Sequence, residues 1–539
     1  MTEHDRKMKI EGPWFDVQNA EPLIDENQAR YNLDALAEKY LQKKKFETEL
    51  EQECSRRGLK GKVQKHLWRL PASIVGPYAE EDAVLPLEIF KKQKRILDAD
   101  GLWDLFMIET NLIQLLIQMR KIGVRINTSK LERVIDEMTK RLRRKERELN
   151  KIAGNEVEYW AAASIQKVFD RLGISYPLTQ KTKQPSFTKD SLLKCENPIG
   201  ELILECRSLD KFVGTFLTGS LMDQVINGRI HSLFNQQKSD DYGTVTGRFS
   251  SSHPNLQFIP IRDEELGPLC RSMFIPEEDC LWGKTDYSQV EFRIFAHYAM
   301  GEGADHFRQQ YVDEPLTDFH DWCAKEAFIP RRSAKTINFG ILYGMGLEKT
   351  AASLKRPMEE AKVFVDQYFK KFPFIRYTLQ KASNKAADTG FIKTILGRRR
   401  RFVYWEPFDR ELSKNITAMK DERIMLAKVR DAIAKAVREN KEPPRPGIRR
   451  AGTFKGLSAL IQGSAADLLK KAMVDCWKAG VFNVLPPHLT VHDELDVSIP
   501  KTKEGTEAFA EKKRLMENAI PFKVPIIADQ DIMIDWGTK

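Results

Sequence analysis

The chain has 539 residues, a formal charge of +10, an isoelectric point near 9.0 and 42% apolar residues. It is too long for one core, so about two to four domains are expected, and its basic balance suits a polyanionic partner whose phosphates release counterions on binding. No run of about eighteen uncharged apolar residues occurs, the charged N-terminus lacks a signal-peptide core, and seven scattered cysteines form no Cys-x-x-Cys; these exclude a membrane span and a disulfide or zinc scaffold, and point to reduced thiols in a cytoplasm.

Apolar residues at 33, 36, 37, 40 and 41 follow helical spacing. A second amphipathic helix is expected over Leu102–Met119, closed by Arg120, Lys121 and Gly123. Residues 129–152 read as a long charged helix with a thin apolar stripe of Leu131, Val134, Met138, Leu142, Leu149 and Ile152, the kind that protrudes or lies across a ligand. The polar stretch 179–188 reads as a loop. Cys280–Thr285 is strand-like and a packed helix follows through Val290, Phe292, Ile294, Phe295 and Tyr298, which places Asp286 where a strand gives way to a helix. Pro330 marks a helix start before Arg331. The Lys-, Arg- and Glu-rich stretch 406–450 reads as an insertion with one helix over Lys414–Asn440, stopped by Pro443-Pro444-Arg445-Pro446-Gly447. Runs 487–491 and 495–499 are two strands joined by a turn at His492-Asp493-Glu494.

Three of these places carry chemistry. If the strands ending at Asp286 and beginning after Asp493 are neighbours, the two carboxylates can share two divalent cations, the arrangement phosphoryl transfer needs. Alone, each motif has a bland reading: an Asp at a strand end caps a helix, and His-Asp-Glu is a charged turn. Arg331, Lys335, Phe339 and Tyr343 recur every four residues and form a slowly drifting stripe, cations first and aromatics after, matching phosphates, sugar and base. The bland counterpart is a basic amphipathic helix with two core rings. Gly340 and Gly344 after each ring are costly in a helix and suggest close approach by another group. Ser288-x-x-Glu291 also reads as a capping box.

Asp286-Tyr287-Ser288-Gln289-Val290-Glu291, then Arg331 to Gly344, then His492-Asp493-Glu494 together resemble the A, B and C motifs of family A DNA polymerases, in the right order. The resemblance spans roughly residue 100 to the C-terminus. It implies an α+β multidomain right hand with an N-terminal exonuclease-like part: 1–98 partial 3′–5′ exonuclease, 99–235 thumb, 236–300 first part of the palm, 301–453 fingers with the 406–450 insertion, and 454–539 second part of the palm. It implies a DNA-templated DNA polymerase using two Mg²⁺ (Mn²⁺ as a substitute), primer-template DNA and dNTPs. Asp286 and Asp493, with the Tyr287 carbonyl, would hold the metals, with Glu494 close by. Lys335 would contact the α-phosphate and protonate pyrophosphate, and Arg331 and His320 would hold the outer phosphates. Phe339 would pack on the sugar, Tyr343 would guard the templating position, Glu291 would exclude a ribose 2′-hydroxyl, and Gln289 joins this nucleotide-binding set. Thr246-Gly247-Arg248-Phe249 and Pro254-Asn255-Leu256-Gln257 resemble a further palm motif, so Arg248, Asn255, Gln257, Gln462 and His492 would meet primer-template, testing minor-groove acceptors shared by all correct pairs. Phe258 and Ser458 stand where the family often has Asn.

The N-terminal region, with Phe15-Asp16-Val17-Gln18, Tyr31–Ala37 and Tyr78-x-x-x-Asp82, resembles the later part of a 3′–5′ exonuclease domain. The Asp-x-Glu motif that should precede these is absent and Asp5 is a poor substitute, so no autonomous proofreading is expected. Completion by a separate polypeptide is favoured over loss of the activity. A bacterial or phage-infected cytoplasm is the expected setting, with a viral replicative role ahead of bacterial repair. The rivals are a single-subunit RNA polymerase-like enzyme, against which Glu291 and Phe339 count, and a catalytically dead DNA-binding scaffold, against which Asp286, Lys335 and Asp493 count.

Overall fold

Four antiparallel strands carry the site: β1 (Cys280–Tyr287), β2 (Pro487–Val491), β3 (Glu494–Pro500) and β4 (Ala528–Met533), in the order β2-β3-β1-β4. They belong to a computed structural model that describes residue 12 and residues 14–43, 48–179, 182–261 and 263–538; Asp5 lies outside the described residues. β3 is buried from Glu494 to Ile499, as expected of a central strand covered on both faces. Gly283 in β1 is required by packing, because a Cβ there would lie 2.5 Å from Ile499 Cδ1.

In chain order the helices that matter are α1 (Val17–Ile24), α2 (Leu33–Leu41), α3 (Ala72–Asp100), α4 (Trp103–Ile122), α5 (Thr128–Ala153), α6 (Pro198–Asp210), α7 (Val290–Tyr298), α8 (Phe319–Ala327), α9 (Arg331–Leu342), α10 (Pro373–Thr389), α11 (Glu422–Arg438), α12 (Gly456–Lys478) and α13 (Lys503–Asn518). The Asn127 side chain caps α5 by accepting from Lys130 N at 3.0 Å. Its stripe is buried against α6, with one change: Ile152 is exposed and Ala153 takes the buried place. α12 is buried on nearly every side and packs against α4, α7, α10 and α13. It is the axle around which the elements gather. α1 to α4 also form two smaller apolar clusters, one around Leu36 and Ile89, the other around Leu97 and Phe106.

Two expectations are corrected here and a third, the helix start at Pro330, is borne out. The 414–440 helix is two: a short one over Arg410–Asn415 and α11, because Met419 bridges back to Trp405 and Asp421 caps a new start by accepting from Ile424 N. The turn between β2 and β3 is His492-Asp493 alone, since Glu494 already pairs with Asp286 in the ladder. Pro330 caps α9 from outside, its carbonyl accepting from Ser333 N and Ala334 N. Among the described residues no helix is long and apolar enough to cross a membrane, and all seven cysteines are free.

Candidate active site

Register puts the carboxylates together. β1 pairs with β3 so that Asp286 stands opposite Glu494, and β4 brings Asp529 to its other side. Asp493, one residue before Glu494, therefore faces Asp286 across the end of the ladder. Its turn is made by His492 in the left-handed region (φ 60°). The helix after β1 is anchored by Arg293, buried at 1% exposure, whose guanidinium donates to the carbonyls of Ser288, Pro525 and Pro315 at 2.8, 2.9 and 2.6 Å.

Burial, followed by the charge of Asp493, raises the Asp286 carboxyl well above its ordinary range, with Lys284 opposing. Burial also raises Asp493, against the pull of its own backbone N–H and of Arg248. Among the described residues neither forms an ion pair. Two half-buried carboxylates that repel each other, beside the Tyr287 carbonyl, make an all-oxygen donor set that fits Mg²⁺, an ion that keeps several of its waters. No group of three or more His, Cys, Asp or Glu converges into a metal cage among the described residues, so this pair would rely on waters and substrate for the remaining ligands. Glu494 is committed elsewhere. Its carboxylate takes Lys284 Nζ at 2.7 Å and Trp536 Nε1 at 2.9 Å, and Asp496, Lys284 and Trp536 hold it low although burial pushes it up.

Glu291 does not cap its helix. α7 begins from Gln289 in the left-handed region (φ 49°) with no side-chain cap, so the capping-box reading is overturned. Instead Glu291 bonds Arg248 on one oxygen and accepts from the Tyr343 hydroxyl at 2.6 Å on the other. The amide of Gln289 is spent on the start of α8, donating to Asp318 at 3.0 Å and accepting from Phe319 N at 3.1 Å.

On α9, Arg331 and Lys335 are exposed and Phe339 is half-buried, while Tyr343 lies just past the helix end. Phe339 and Tyr343 stack with centroids 6.0 Å apart, and the Lys335 ammonium lies 6.0 Å from the Phe339 centroid. Arg331 pairs with Asp318 at 2.8 Å and Asp321 at 2.6 Å. His320, assigned to the outer phosphates, is instead buried at 4%, bonded to Asn338 at 3.1 Å, and pushed by burial down to about 4. It is neutral and packed away in this arrangement. Gly344 serves the turn, with φ 66° and the Phe454 ring against it, and Gly340 has room for a Cβ, so neither reports the approach of an outside group.

The duplex-side candidates converge on the same place. Asn255 caps a short turn through Gln257 N at 3.0 Å, Gln257 donates at 3.4 Å to the carbonyl of Thr490, two residues before His492, and Gln462 on α12 reaches the Tyr343 hydroxyl. Arg248 lies close enough to Asp493 and His492 to lower both. Phe258 is 75% exposed.

Sequence reasoning missed a buried charge network behind the site. Glu109 on α4 accepts from Arg398 Nη2 at 2.5 Å, Lys470 Nζ at 2.7 Å and Gln236 Nε2 at 2.8 Å. Arg398 also donates to Asp467 at 2.8 Å, which in turn takes Thr394. The hint was Asp467 and Lys470 within the apolar run Ala465–Val474 of α12. Lys284 was findable, standing two residues before Asp286 on the same face of β1; Asp529, reached only through the fold, was not.

The model of DNA polymerase family A matches residues 128–538, and a 3′–5′ exonuclease model matches residues 3–98. A DNA-directed DNA polymerase of Pseudomonas phage M6 is 31% identical over 97% of this chain and 79% of its own length. DNA polymerase DpoZ of Salmonella phage PMBT28 is 29% identical over 94% and 81%, and a thermostable DNA polymerase I of Thermus aquaticus 34% over 81% and 48%. Among solved structures, the POL domain of Pol1 from M. smegmatis in complex with DNA primer-template and dNTP superposes with a TM-score of 0.77 at 26% identity, covering 99% of this chain and 84% of that one.

Proposed function

The chain belongs to DNA polymerase family A and is a DNA-directed DNA polymerase, and from that premise we propose how its own residues bind primer-template DNA and dNTPs and join them. The observation that carries the reading is the ladder placing Asp286 beside Asp493, with Glu291, Arg248 and Tyr343 bonded together at its edge. Family A DNA polymerases are divalent-metal dependent. Asp286, Asp493 and the Tyr287 carbonyl would hold two Mg²⁺, which would supply the acidity that activates the primer 3′-hydroxyl and the charge that offsets the leaving pyrophosphate.

The incoming triphosphate exchanges partners with Arg331. Its two ion pairs are half exposed, and such pairs contribute about 0–1 kcal/mol, whereas guanidinium–phosphate bonds are charge-assisted and forked. Lys335, exposed and within a turn of Arg331, is placed for the α-phosphate and for delivering a proton to pyrophosphate. His320 then acts by positioning Phe339 and Phe292 (ring centroids 5.2 and 4.7 Å away). Phe339 offers its face to the sugar. Glu291, pinned by Arg248 and Tyr343, presents a fixed wall to a 2′-hydroxyl, and Tyr343 itself covers the templating position. Arg248, Asn255, Gln257, Gln462 and His492 line the duplex side. Glu494 sets the rigidity of β3 through Lys284 and Trp536.

The reading divides the chain as thumb over 99–235, palm over 236–300 and 454–539, and fingers over 301–453. The exonuclease-like residues 1–98 hold no Asp-x-Glu, and Tyr78 and Asp82 lie within α3, so this polypeptide alone extends without shortening mispaired ends; a second polypeptide supplying the remaining carboxylates is the favoured route to proofreading. A bacterial or phage-infected cytoplasm is the proposed setting. The RNA polymerase-like and scaffold alternatives are not favoured. Primer extension with Mg²⁺ and dNTPs, beside an rNTP lane and a lane without nucleotides on a mispaired primer, tests all of this. Extension by dNTPs alone without shortening supports it, extension by rNTPs at equal rate overturns the deoxynucleotide reading, and shortening overturns the exonuclease reading.

A further inference from the structure

The 406–450 insertion has no part in the chemistry above, yet it builds a distinctive surface. Residues 405–407 pair with 448–450 in an antiparallel hairpin, and α11 packs on it through buried Met425 and Val429. Alternation along the strand puts Tyr404, Glu406 and Phe408 on one side, with Arg449 opposite Glu406. Tyr404 and Phe408 are 39% and 38% exposed. The guanidinium carbons of Arg445 and Arg449 stand 4.3 and 5.7 Å from the Phe408 centroid, and the Lys420 ammonium 5.9 Å from that of Tyr404. Glu406 offsets Arg449 in part, at 2.8 Å. Between residues 404 and 455 thirteen Lys or Arg oppose eight Asp or Glu.

This surface connects to the active site. From the hairpin the chain runs through Arg449 and Arg450 to Phe454, 54% exposed, whose ring packs on Gly344 immediately after Tyr343. Lys455 stands 5.6 Å from the Phe454 centroid. The result is a strip of exposed rings, each with a cation beside it, leading outward from the templating position. Rings flanked by cations are what a single strand uses, its bases stacking while its phosphates meet the charges.

We propose that the hairpin face of Tyr404, Phe408, Arg445 and Arg449 binds the single-stranded template ahead of the primer terminus. A protein partner would be served by an apolar patch with few charges at its centre; the cation excess here and the continuity with Tyr343 select DNA. The inference rests on the polymerase reading, so its test separates the two. Primer-templates sharing one duplex but bearing a 5′ template overhang of one nucleotide or of about twelve are bound to the full chain and to a Tyr404→Ala/Phe408→Ala variant, with Arg445→Glu as a second variant that leaves both rings in place. Both variants are expected to weaken binding of the long-overhang substrate, the first by about tenfold or more, while binding and extension of the single-nucleotide overhang stay as in the parent. Equal loss on both substrates, or no loss on either, overturns the proposal, and the latter leaves the face to a protein. Failure of the parent to extend either substrate would instead overturn the polymerase reading.

Discussion

Replacing Glu109 by Ala should cost the protein about 3–5 kcal/mol of stability although the residue is outside the proposed substrate-binding set. Glu109 is fully buried, and its carboxylate is the acceptor shared by Arg398 and Lys470, also buried. Without it Arg398 keeps Asp467, but Lys470 keeps no carboxylate in direct contact among the described residues, only the Gln236 carbonyl at 2.5 Å and the Phe249 ring, 5.2 Å away. Burial already pushes Lys470 down to about 8 with Glu109 present; with it gone the ammonium loses its main support and gives up its proton, which limits the cost to the lower part of that range. The pH dependence follows. Burial pushes Glu109 up, but Lys470 and Arg398 outweigh it and hold the carboxyl below its ordinary 4.5. Below about pH 8, where Lys470 keeps its charge, the stabilisation is therefore present above about pH 4.5 and is lost as pH falls through the lowered value. Urea denaturation followed by tryptophan fluorescence gives the cost, with Asp136→Ala as the control, since its exposed pair with Lys140 should be worth under about 0.5 kcal/mol. A Glu109→Leu/Lys470→Met double variant should recover most of the loss, because it removes the pair without stranding a charge. A single-variant cost under about 1 kcal/mol, or a double variant no better than the single, would refute the reasoning.

Glu291→Ala should lower discrimination against ribonucleotides about 10- to 100-fold in competitive incorporation, and it also frees Tyr343 and Arg248. Lys335→Ala should reduce kcat about a hundredfold or more with little change in KM, whereas Arg331→Ala should act mainly by raising KM; steady-state kinetics on one template distinguish them. Chelation by EDTA should stop extension, and either Mg²⁺ or Mn²⁺ should restore it.

The elements with strong local patterns were legible in the sequence. The α5 stripe, the strand into Asp286 and the pair of strands around Asp493 follow from periodicity, and the carboxylates at their ends follow from the motifs. What escaped was decided by contacts distant in sequence. The helix expected through 414–440 broke because Met419 found Trp405, and nothing nearby announces that bridge. The capping box failed because Arg248 and Tyr343 claim Glu291 from 43 and 52 residues away. His320 lies beside a genuine cap, Asp318, but whether its ring meets phosphate or Asn338 depends on how α8 sits against α9. The Glu109 network joins residues up to 361 positions apart, so it is visible only once α4 and α12 are packed.

The central claim is that Asp286 and Asp493 together form the reaction centre. Single-turnover nucleotide incorporation by Asp286→Asn and Asp493→Asn, at saturating dNTP and with primer-template affinity measured alongside, tests it most directly. The account predicts a loss of about a thousandfold or more for each, with DNA affinity within a few-fold of the parent. A rate within about tenfold of the parent for either variant would contradict it.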